Sequence, residues 1–156
     1  MSSPKSRREI ERKFLVIGDG WQKKAADPSQ IEQGYLARGR KSTIRIRIKD
    51  GKHATLTVKS RETGASRSEF EYRISLKDAK SMMELCGPSR IEKQRFNVPQ
   101  GKLIWEIDVF AGRHAGLVIA EIELQHEDDP LKLPAWIGEE VTADPRYRNS
   151  SLVDGD

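Results

Sequence analysis

The chain has 156 residues, of which 36% are hydrophobic, 33% charged and 6% aromatic, a composition that favours a single globular domain over residues 1–156. No stretch reaches the roughly 18 to 20 apolar residues of a membrane-spanning helix, and MSSPKSRRE at the N-terminus lacks a secretory apolar run, so we expect a cytoplasmic protein without membrane contact. A single cysteine, Cys86, excludes an internal disulfide and a thiolate zinc site, which leaves oxygens or the three histidines to hold any metal.

The net charge of +4 conceals a segregation of charge along the chain. Residues 1–61 hold 16 basic and 6 acidic side chains, a net +10, whereas residues 62–156 hold 12 and 18, a net −6. Two interpretations are open at this point. Either a basic half binds a polyanion such as nucleic acid, or bases from one half meet acids from the other in a folded site.

Alternation of apolar and polar residues, which is typical of strands with two different faces, predicts six strands. They are 9–16 (EIERKFLV), 42–49 (STIRIRIK), 53–60 (HATLTVKS), 67–75 (RSEFEYRIS), 103–110 (LIWEIDVF) and 117–124 (LVIAEIEL). Weaker alternation at 31–38 and 91–98 brings the number to about eight. Asp50 and Gly51 suit the positive backbone angles of a tight hairpin turn between residues 49 and 53.

Helical signals are fewer. Residues 76–87 place Leu76, Ala79, Met83 and Cys86 on one stripe, and the following Gly87-Pro88 ends the helix. Short helices are also expected in WQKKAADP at 21–28 and after Pro134. Many antiparallel strands with a few helices predict an α+β domain that is rich in β-structure.

Charged residues recur two apart on most predicted strands, and residues two apart on a strand lie on the same face. A solvated outer face would explain any single pair, but like charges held side by side repel. The whole set is better explained if the strands close into a barrel with the charges inside, where cations neutralise the acids and a polyanion neutralises the bases. The acids are Glu9, Glu11, Glu69, Glu71, Glu106, Asp108, Glu121 and Glu123, and the bases include Lys13, Arg45, Arg47, Lys59, Arg73, Lys93 and Arg95.

An interior of this kind predicts phosphoryl chemistry. Clustered carboxylates suit hard divalent ions such as Mg²⁺, arginine binds phosphate through two hydrogen bonds, and lysine serves as a point charge. Catalysis of phosphoryl transfer consists mostly of positioning and charge neutralisation. The acidic pairs argue against nucleic acid as a partner, because they would repel a phosphate backbone.

The order of these motifs resembles the CYTH superfamily, the triphosphate tunnel metalloenzymes. The first strand carries E-x-E-x-K at 9–13. It is followed by QGYL (33–36), RIR (45–47), LTVK (56–59), EFE (69–71), KQR (93–95), WEIDVF (105–110), AEIEL (120–124) and EVTADPRYRN (140–149). The resemblance therefore covers nearly the whole chain.

The resemblance implies an eight-stranded antiparallel β-barrel, with a few helices packed outside, that binds a triphosphate and one or two divalent ions, Mg²⁺ or Mn²⁺. Its candidate catalytic residues are Lys13, which contacts phosphate or handles a proton, Glu11 and Glu123. The implied triphosphate-binding residues are Lys13, Arg45, Arg47, Lys59, Lys93 and Arg95. The implied metal ligands are Glu9, Glu11, Glu121 and Glu123, with Glu69, Glu71, Glu106 and Asp108 as further ligands or holders of water. Arg73 matches no motif.

The expected activity is metal-dependent hydrolysis of a triphosphate, first of all inorganic tripolyphosphate to pyrophosphate and phosphate. An organic group would need an aromatic surface, yet Trp105 should point away from the tunnel, and Trp21 and Trp136 lie in connecting segments. A class IV adenylate cyclase acting on ATP, a thiamine triphosphatase and a non-catalytic polyphosphate- or nucleotide-binding module stay open. Outward apolar faces that few helices can cover also favour a homodimer.

Overall fold

The structure is a computed structural model that describes residues 5–61 and 66–153, with the side chains of residues 5–9 and 66 outside the described part. Within these ranges the chain forms nine strands, two α-helices and three short 3₁₀ helices. The strands are β1 (Lys5–Val16), β2 (Ser29–Arg38), β3 (Ser42–Lys49), β4 (His53–Ser60), β5 (Ser66–Ile74), β6 (Arg90–Gln100), β7 (Leu103–Phe110), β8 (Val118–Glu123) and β9 (Ile137–Glu140). The α-helices are α1 (Leu76–Leu85) and α2 (Asn149–Leu152), and the 3₁₀ helices span Gly20–Lys24, Gly112–His114 and Pro145–Tyr147.

The strands pair antiparallel in the order β5-β4-β3-β2-β6-β7-β8-β1-β9, and β1 also pairs with β5. β1 is long enough to join both sides of this ladder. Its residues 5–10 pair with β5, and its residues 11–15 pair with β8. The first eight strands thus form the predicted barrel. The ring is not strictly closed along its length, because β5 pairs only with residues 5–10 of β1 and β8 only with residues 11–15.

Most local predictions are confirmed. The β3–β4 turn has φ of 55° at Asp50 and 65° at Gly51, as a tight hairpin requires. The predicted helix at 76–87 is α1, where the Ser75 hydroxyl accepts a hydrogen bond of 3.0 Å from the backbone N–H of Asp78. Gly87, at φ 57°, follows the end of the helix. The predicted short helix at 21–28 is the 3₁₀ helix Gly20–Lys24.

The prediction of a short helix directly after Pro134 is wrong, because this stretch contains β9. β9 pairs with β1 at Phe14 and Val16, beyond the residues of β1 that β5 reaches. Backbone groups on that edge of β1 need hydrogen-bond partners, and β9 supplies them. Helical structure appears only later, at Pro145–Tyr147 and in α2.

Apolar side chains on the outer surface of the barrel form two cores. One lies under the 3₁₀ helix Gly20–Lys24 and the segment before β9, and it includes Phe14, Trp21, Trp105 and Ile122. Trp105 is fully buried there, and its ring makes edge contacts with Phe14 and Trp136, both at 5.6 Å between centroids. Trp105 therefore points away from the tunnel, as its alternation with Glu106 predicts.

The second outer core lies between α1 and strands β2 to β4. Ala79, Met83 and Cys86 of the α1 stripe pack there with Ile46 and Ile48. The inward and outward faces thus follow the predicted alternation, with charge inside and aliphatic groups outside. Among the described residues, no helix is long and apolar enough to cross a membrane.

A third apolar cluster occupies one end of the barrel interior, which we call the closed end. Inward positions on four strands are apolar at this end, and α2 packs Leu152 against them together with Val153. The apolar inward residues are Tyr35, Ile91, Phe110 and Ile119. The C-terminal segment therefore closes the barrel on this side, a feature that alternation alone does not reveal.

Candidate active site

A polar cavity of about 150 Å³ lies in the middle of the barrel. Seven strands contribute side chains to it, and α2 contributes one from the closed end. The lining residues are Glu11, Arg45, Arg47, Lys59, Glu69, Glu71, Arg95, Glu106, Glu121, Glu123 and Asn149. Ten of these eleven are charged, because the seven contributing strands turn the charged residues of their alternation inward.

A second cavity of about 220 Å³ continues from the first toward the other end of the barrel. The two share Arg47, Glu71, Arg95 and Glu106. We call this side the open end, since the C-terminal segment does not contribute to its lining. A ligand that enters here meets four of the charged side chains before it reaches Asn149.

The structure brings four of the six predicted triphosphate-binding residues to the central cavity, namely Arg45, Arg47, Lys59 and Arg95. Lys13 and Lys93 lie behind them, toward the closed end, and both are buried. Lys13 Nζ donates to the Tyr147 carbonyl at 3.0 Å and lies 3.6 Å from Glu121 Oε1.

Lys93 lies in an even more enclosed position. Its Nζ is 2.6 Å from Asp108 Oδ2 and donates to Asn149 Oδ1 at 3.2 Å. Burial lowers the pKa of Lys93, and Asp108 opposes that shift. Tyr147 and Asn149 both belong to the C-terminal segment. That segment therefore positions the two buried lysines as well as closing the barrel.

Of the eight predicted metal ligands, six line the cavity: Glu11, Glu69, Glu71, Glu106, Glu121 and Glu123. Glu9 lies on β1 opposite Arg67, but its side chain falls outside the described part of the chain. Asp108 is fully buried behind the cavity and does not line it. Its carboxylate instead contacts two bases.

Asp108 holds Arg95 with two hydrogen bonds, from Nε to Oδ1 at 2.7 Å and from Nη2 to Oδ2 at 2.9 Å. Burial opposes ionisation of Asp108, but the charges of Arg95 and Lys93 outweigh it and hold the pKa of this carboxyl well below its usual range. Asp108 therefore fixes Arg95 and Lys93 in place.

Arg47 is held differently, by the neutral side chain of Gln33. The Gln33 Oε1 atom accepts hydrogen bonds from Arg47 Nε at 3.0 Å and from Nη2 at 2.9 Å. Gln33 is completely buried, and its amide nitrogen has no hydrogen-bond partner among the described residues. Burial lowers the pKa of Arg47, and the charges of Arg45 and Arg95 lower it further.

Two residues of this site, Gln33 and Asn149, cannot be identified by looking for pairs of charged residues. Gln33 lies within the QGYL motif, but a neutral amide does not stand out in a charge pattern. Asn149 ends the EVTADPRYRN motif and reaches the cavity only because α2 folds back over the closed end. The inward alternation of Ile31, Gln33 and Tyr35 on β2 is the one signal that could have identified Gln33.

Carboxylates from neighbouring strands face one another in the acidic part of the cavity. Glu11 pairs in register with Glu123, and Glu106 with Glu121. Burial raises the pKa of Glu106; Arg95 opposes this rise and Glu121 adds to it. Placing acids in such a setting is costly unless a cation neutralises them.

The model of the CYTH domain matches residues 7–153. The chain belongs to the CYTH domain family. Among its CYTH relatives is an inorganic triphosphatase of Acetivibrio thermocellus, 46% identical over 147 residues, which are 94% of this chain and 93% of the relative.

Another relative, an inorganic triphosphatase of Nitrosomonas europaea, is 39% identical over 150 residues, covering 93% of this chain and 96% of the relative. A crystal structure of an inorganic triphosphatase superposes with a TM-score of 0.66 and 32% identity, covering 93% of each chain. The β-rich barrel described above is thus the CYTH tunnel fold.

Membership of the CYTH family implies dependence on a divalent metal ion. The oxygen donors of Glu11, Glu106, Glu121 and Glu123 fit a hard cation of this type. Among the described residues, however, no three acidic, histidine or cysteine side chains are close enough to form a metal site on their own. Such an ion would therefore also need water or substrate oxygens, which Mg²⁺ readily takes.

Proposed function

We propose that this protein hydrolyses inorganic tripolyphosphate to pyrophosphate and phosphate with the help of Mg²⁺ or Mn²⁺. The observation that carries the proposal is the lining of the central cavity, which combines four guanidinium or ammonium groups with six carboxylates around a space of about 150 Å³. The activity of the relatives from Acetivibrio thermocellus and Nitrosomonas europaea supports the same conclusion.

Each group of side chains has a separate task in this proposal. Arg45, Arg47 and Arg95 bind the non-bridging phosphate oxygens, and Lys59 adds a further positive charge. Asp108 is a positioning residue, since it contacts Arg95 and Lys93 rather than the cavity. Glu69 and Glu71 of β5 lie beside β4, with Glu69 Oε2 3.9 Å from Lys59 Nζ, and we assign them to hold water or metal there.

The acidic residues Glu11, Glu121 and Glu123, with Glu9 and Glu106, would hold the metal. When bound, a divalent ion supplies charge neutralisation and lowers the pKa of coordinated water. Hydrolysis breaks the bond between the terminal phosphorus and its bridging oxygen, a water oxygen joins that phosphorus, and pyrophosphate leaves. The cationic side chains stabilise the negative charge that develops on the leaving oxygen.

We assign Lys13 a role at the inner end of the substrate. Its buried ammonium group is held by the Tyr147 carbonyl and lies near Glu121, at the side of the cavity away from the open end. We assign it contact with a phosphate oxygen as its first role. Transfer of a proton is the alternative role for the same group.

The identity of the substrate is the finer part of this proposal. Among the residues that the structure describes, no aromatic side chain lines the central cavity, and Trp105 packs outside the barrel. An adenine or thiamine ring would find no stacking surface among these described lining residues, which favours an inorganic substrate.

The test measures phosphate and pyrophosphate released from tripolyphosphate, ATP and thiamine triphosphate, each with Mg²⁺ or Mn²⁺, and checks the ATP reaction for cyclic AMP by chromatography. The proposal expects fast phosphate release from tripolyphosphate. Cyclic AMP together with pyrophosphate would instead identify a cyclase, and preference for thiamine triphosphate a thiamine triphosphatase. Tight tripolyphosphate binding without any product would point to a binding module.

A homodimer and a cytoplasmic location stay predictions. The outer face of β5 exposes 39% of Phe70 and 38% of Tyr72, which supports the dimer because such apolar surface is often covered by a partner. Light scattering after size-exclusion chromatography measures the mass directly. A monomer at all concentrations would contradict the dimer.

A further inference from the structure

A cavity of about 460 Å³ lies outside the barrel, beside the outer core that contains Trp105. We call it the Trp136 pocket. Three pieces of the chain border it: the 3₁₀ helix Gly20–Lys24, the hairpin between β6 and β7, and the segment before β9. Its volume falls within the range of roughly 300 to 1,000 Å³ that is typical of small-molecule sites.

Hydrogen bonds tie the walls of this pocket together. The Gln100 side chain, at the end of β6, donates to the Lys132 carbonyl at 2.9 Å and accepts from Trp105 Nε1 at 3.2 Å. The backbone N–H of Ala26 donates to the Asn97 carbonyl at 3.0 Å, which joins the chain after the 3₁₀ helix to β6. The fold itself therefore shapes the cavity, and most small-molecule sites are pre-formed in this way.

Two tryptophans give the pocket an aromatic wall. Trp21 is buried, and its ring makes an edge contact with Phe96 at 5.0 Å between centroids. Trp136 is half-buried, and its edge contact with Trp105 fixes its ring. A Cβ atom at Gly20 would meet the Trp136 ring at 3.8 Å, so a glycine at this position leaves that part of the ring uncovered. A fixed and partly uncovered indole ring is a surface on which another planar ring can stack.

The charge at the pocket is positive. Lys23, Lys24 and Lys132 line it, and no acidic residue of the described chain does. The three ammonium groups form no ion pair with any residue that the structure describes. Asp19 and Asp27 flank the 3₁₀ helix in sequence but do not belong to the lining. Several cations around one concave site raise the local concentration of anions.

We propose that the Trp136 pocket binds a nucleotide, with the base stacked on Trp136 and the phosphate bound by the three lysines. A nucleotide combines a planar ring with a negative charge and so matches both features of the lining. A neutral nucleoside or inorganic phosphate matches only one of them. The pocket shares no described residue with either cavity of the tunnel, and the proposal does not rest on the triphosphatase activity.

The test is calorimetric titration of the metal-free full-length protein with adenosine monophosphate (AMP), with adenosine and with inorganic phosphate. Trp136→Leu removes the stacking surface. Lys24→Gln/Lys132→Gln, the pocket lysine variant, removes two of the charges. Lys77→Gln/Lys80→Gln, the α1 control, makes the same change of net charge with two exposed lysines of α1. Circular dichroism confirms that each variant is folded.

We expect one saturable AMP site in the wild-type protein and weaker binding of adenosine and of phosphate, because each lacks one of the two contacts. Trp136→Leu and the pocket lysine variant should each weaken AMP binding by about fivefold or more, the effect of losing base stacking or contacts to a charged group. The α1 control should match the wild-type protein. Arg47→Ala, which alters the tunnel, should retain the AMP site.

Three kinds of result would overturn the proposal. The first is a wild-type protein that does not bind AMP saturably, or that binds phosphate as tightly as AMP. The second is AMP binding that is unchanged in the pocket variants or equally weakened in the α1 control, which would exclude a specific role of the pocket. The third is loss of AMP binding in Arg47→Ala, which would place the nucleotide in the tunnel. If Trp136→Leu does not fold, the pocket lysine variant and the comparison of the three ligands decide by the same criteria.

Discussion

Gln33 and Asp108 hold neighbouring arginines by different means. Asp108 accepts hydrogen bonds from Arg95 through a negatively charged carboxylate, whereas Gln33 accepts them from Arg47 through a neutral carbonyl oxygen. The two contacts have similar hydrogen-bond lengths, but they leave a different net charge on each arginine together with its partner. Arg47 keeps its positive charge for a ligand, while the charge of Arg95 is largely offset.

We expect Gln33→Glu to raise the KM for tripolyphosphate by about tenfold or more, because a carboxylate beside Arg47 competes with the phosphate oxygens for the guanidinium group. The effect on kcat should be smaller. Steady-state kinetics measures the two separately, and a thermal melt checks the fold.

Gln33→Met is the control for shape, since it retains the length of the side chain without a charge. It should loosen Arg47 and raise KM less than Gln33→Glu does. A Gln33→Glu enzyme with an unchanged KM would contradict the role assigned to the neutral amide.

At the scale of elements, the position of α1 depends on Gly34 of β2. A Cβ atom at this residue would lie 2.7 Å from Cys86 Sγ and 2.9 Å from Cys86 Cβ. Gly34→Ala should therefore destabilise the protein by about 1 to 3 kcal/mol, as overpacking usually does. Urea unfolding measures this difference.

Gly20→Ala is the matched control for that substitution. Its Cβ would have only Trp136 within 4 Å, at an ordinary contact distance of 3.8 Å. We expect a change within about 0.5 kcal/mol, which is typical of surface substitutions. Equal effects at the two glycines would show that α1 is not held at Gly34.

The attachment of β9 to β1 should depend on pH. Arg12 donates two hydrogen bonds to Glu140, at 2.9 and 2.7 Å, and Thr142 donates a third at 2.6 Å. The hydrogen bond from Arg12 lowers the pKa of Glu140 although burial opposes it, and Thr142 lowers it further.

Since the folded pKa lies below the unfolded one, the stabilisation is fully present above the ordinary pKa of glutamate, about 4.3, and is lost as the pH falls through the folded value. Glu140→Gln should cost under about 1 kcal/mol at pH 7, as expected for a partly exposed pair. Urea unfolding at pH 7 and near pH 3 should show this cost shrinking at the lower pH. A cost that stays constant with pH would show that the ionised Glu140 carboxylate does not stabilise the attachment of β9.

These elements also show which parts of the fold can be predicted from local sequence patterns. The eight barrel strands and α1 were predictable because alternation, turn residues and caps are local signals. β9 was not, because its strand conformation depends on an edge of β1 more than a hundred residues away. Short segments of this kind take their structure from whatever they pack against.

At the scale of the whole molecule, the barrel combines a charged middle with an apolar closed end. The charged middle follows from the pairs of like charge that recur along the strands. The closed end does not, because Tyr35, Ile91, Phe110 and Ile119 look like ordinary core residues until α2 is seen to fold over them.

The same distinction applies to the candidate site. Six predicted acids and four predicted bases line the cavity, since each has a charge that marks its face. Whether a charged residue faces the cavity or supports another one was not predictable: Asp108, Lys13 and Lys93 all lie behind the lining. That division depends on barrel geometry and on the C-terminal segment.

The acids of the tunnel should make triphosphate hydrolysis dependent on a divalent ion. The most direct measurement is phosphate release from tripolyphosphate by the wild-type protein, Glu11→Ala and Glu32→Ala, with saturating Mg²⁺ and with excess chelator. Glu32 is the matched control because it lies on β2 between inward residues and does not line the cavity.

We predict that the wild-type protein and Glu32→Ala release phosphate with Mg²⁺ and stop with chelator, while Glu11→Ala loses about 100-fold or more of the rate with an unchanged melting temperature. Full activity of a folded Glu11→Ala protein, or hydrolysis that continues in excess chelator, would show that these acids do not hold a metal ion that the reaction requires.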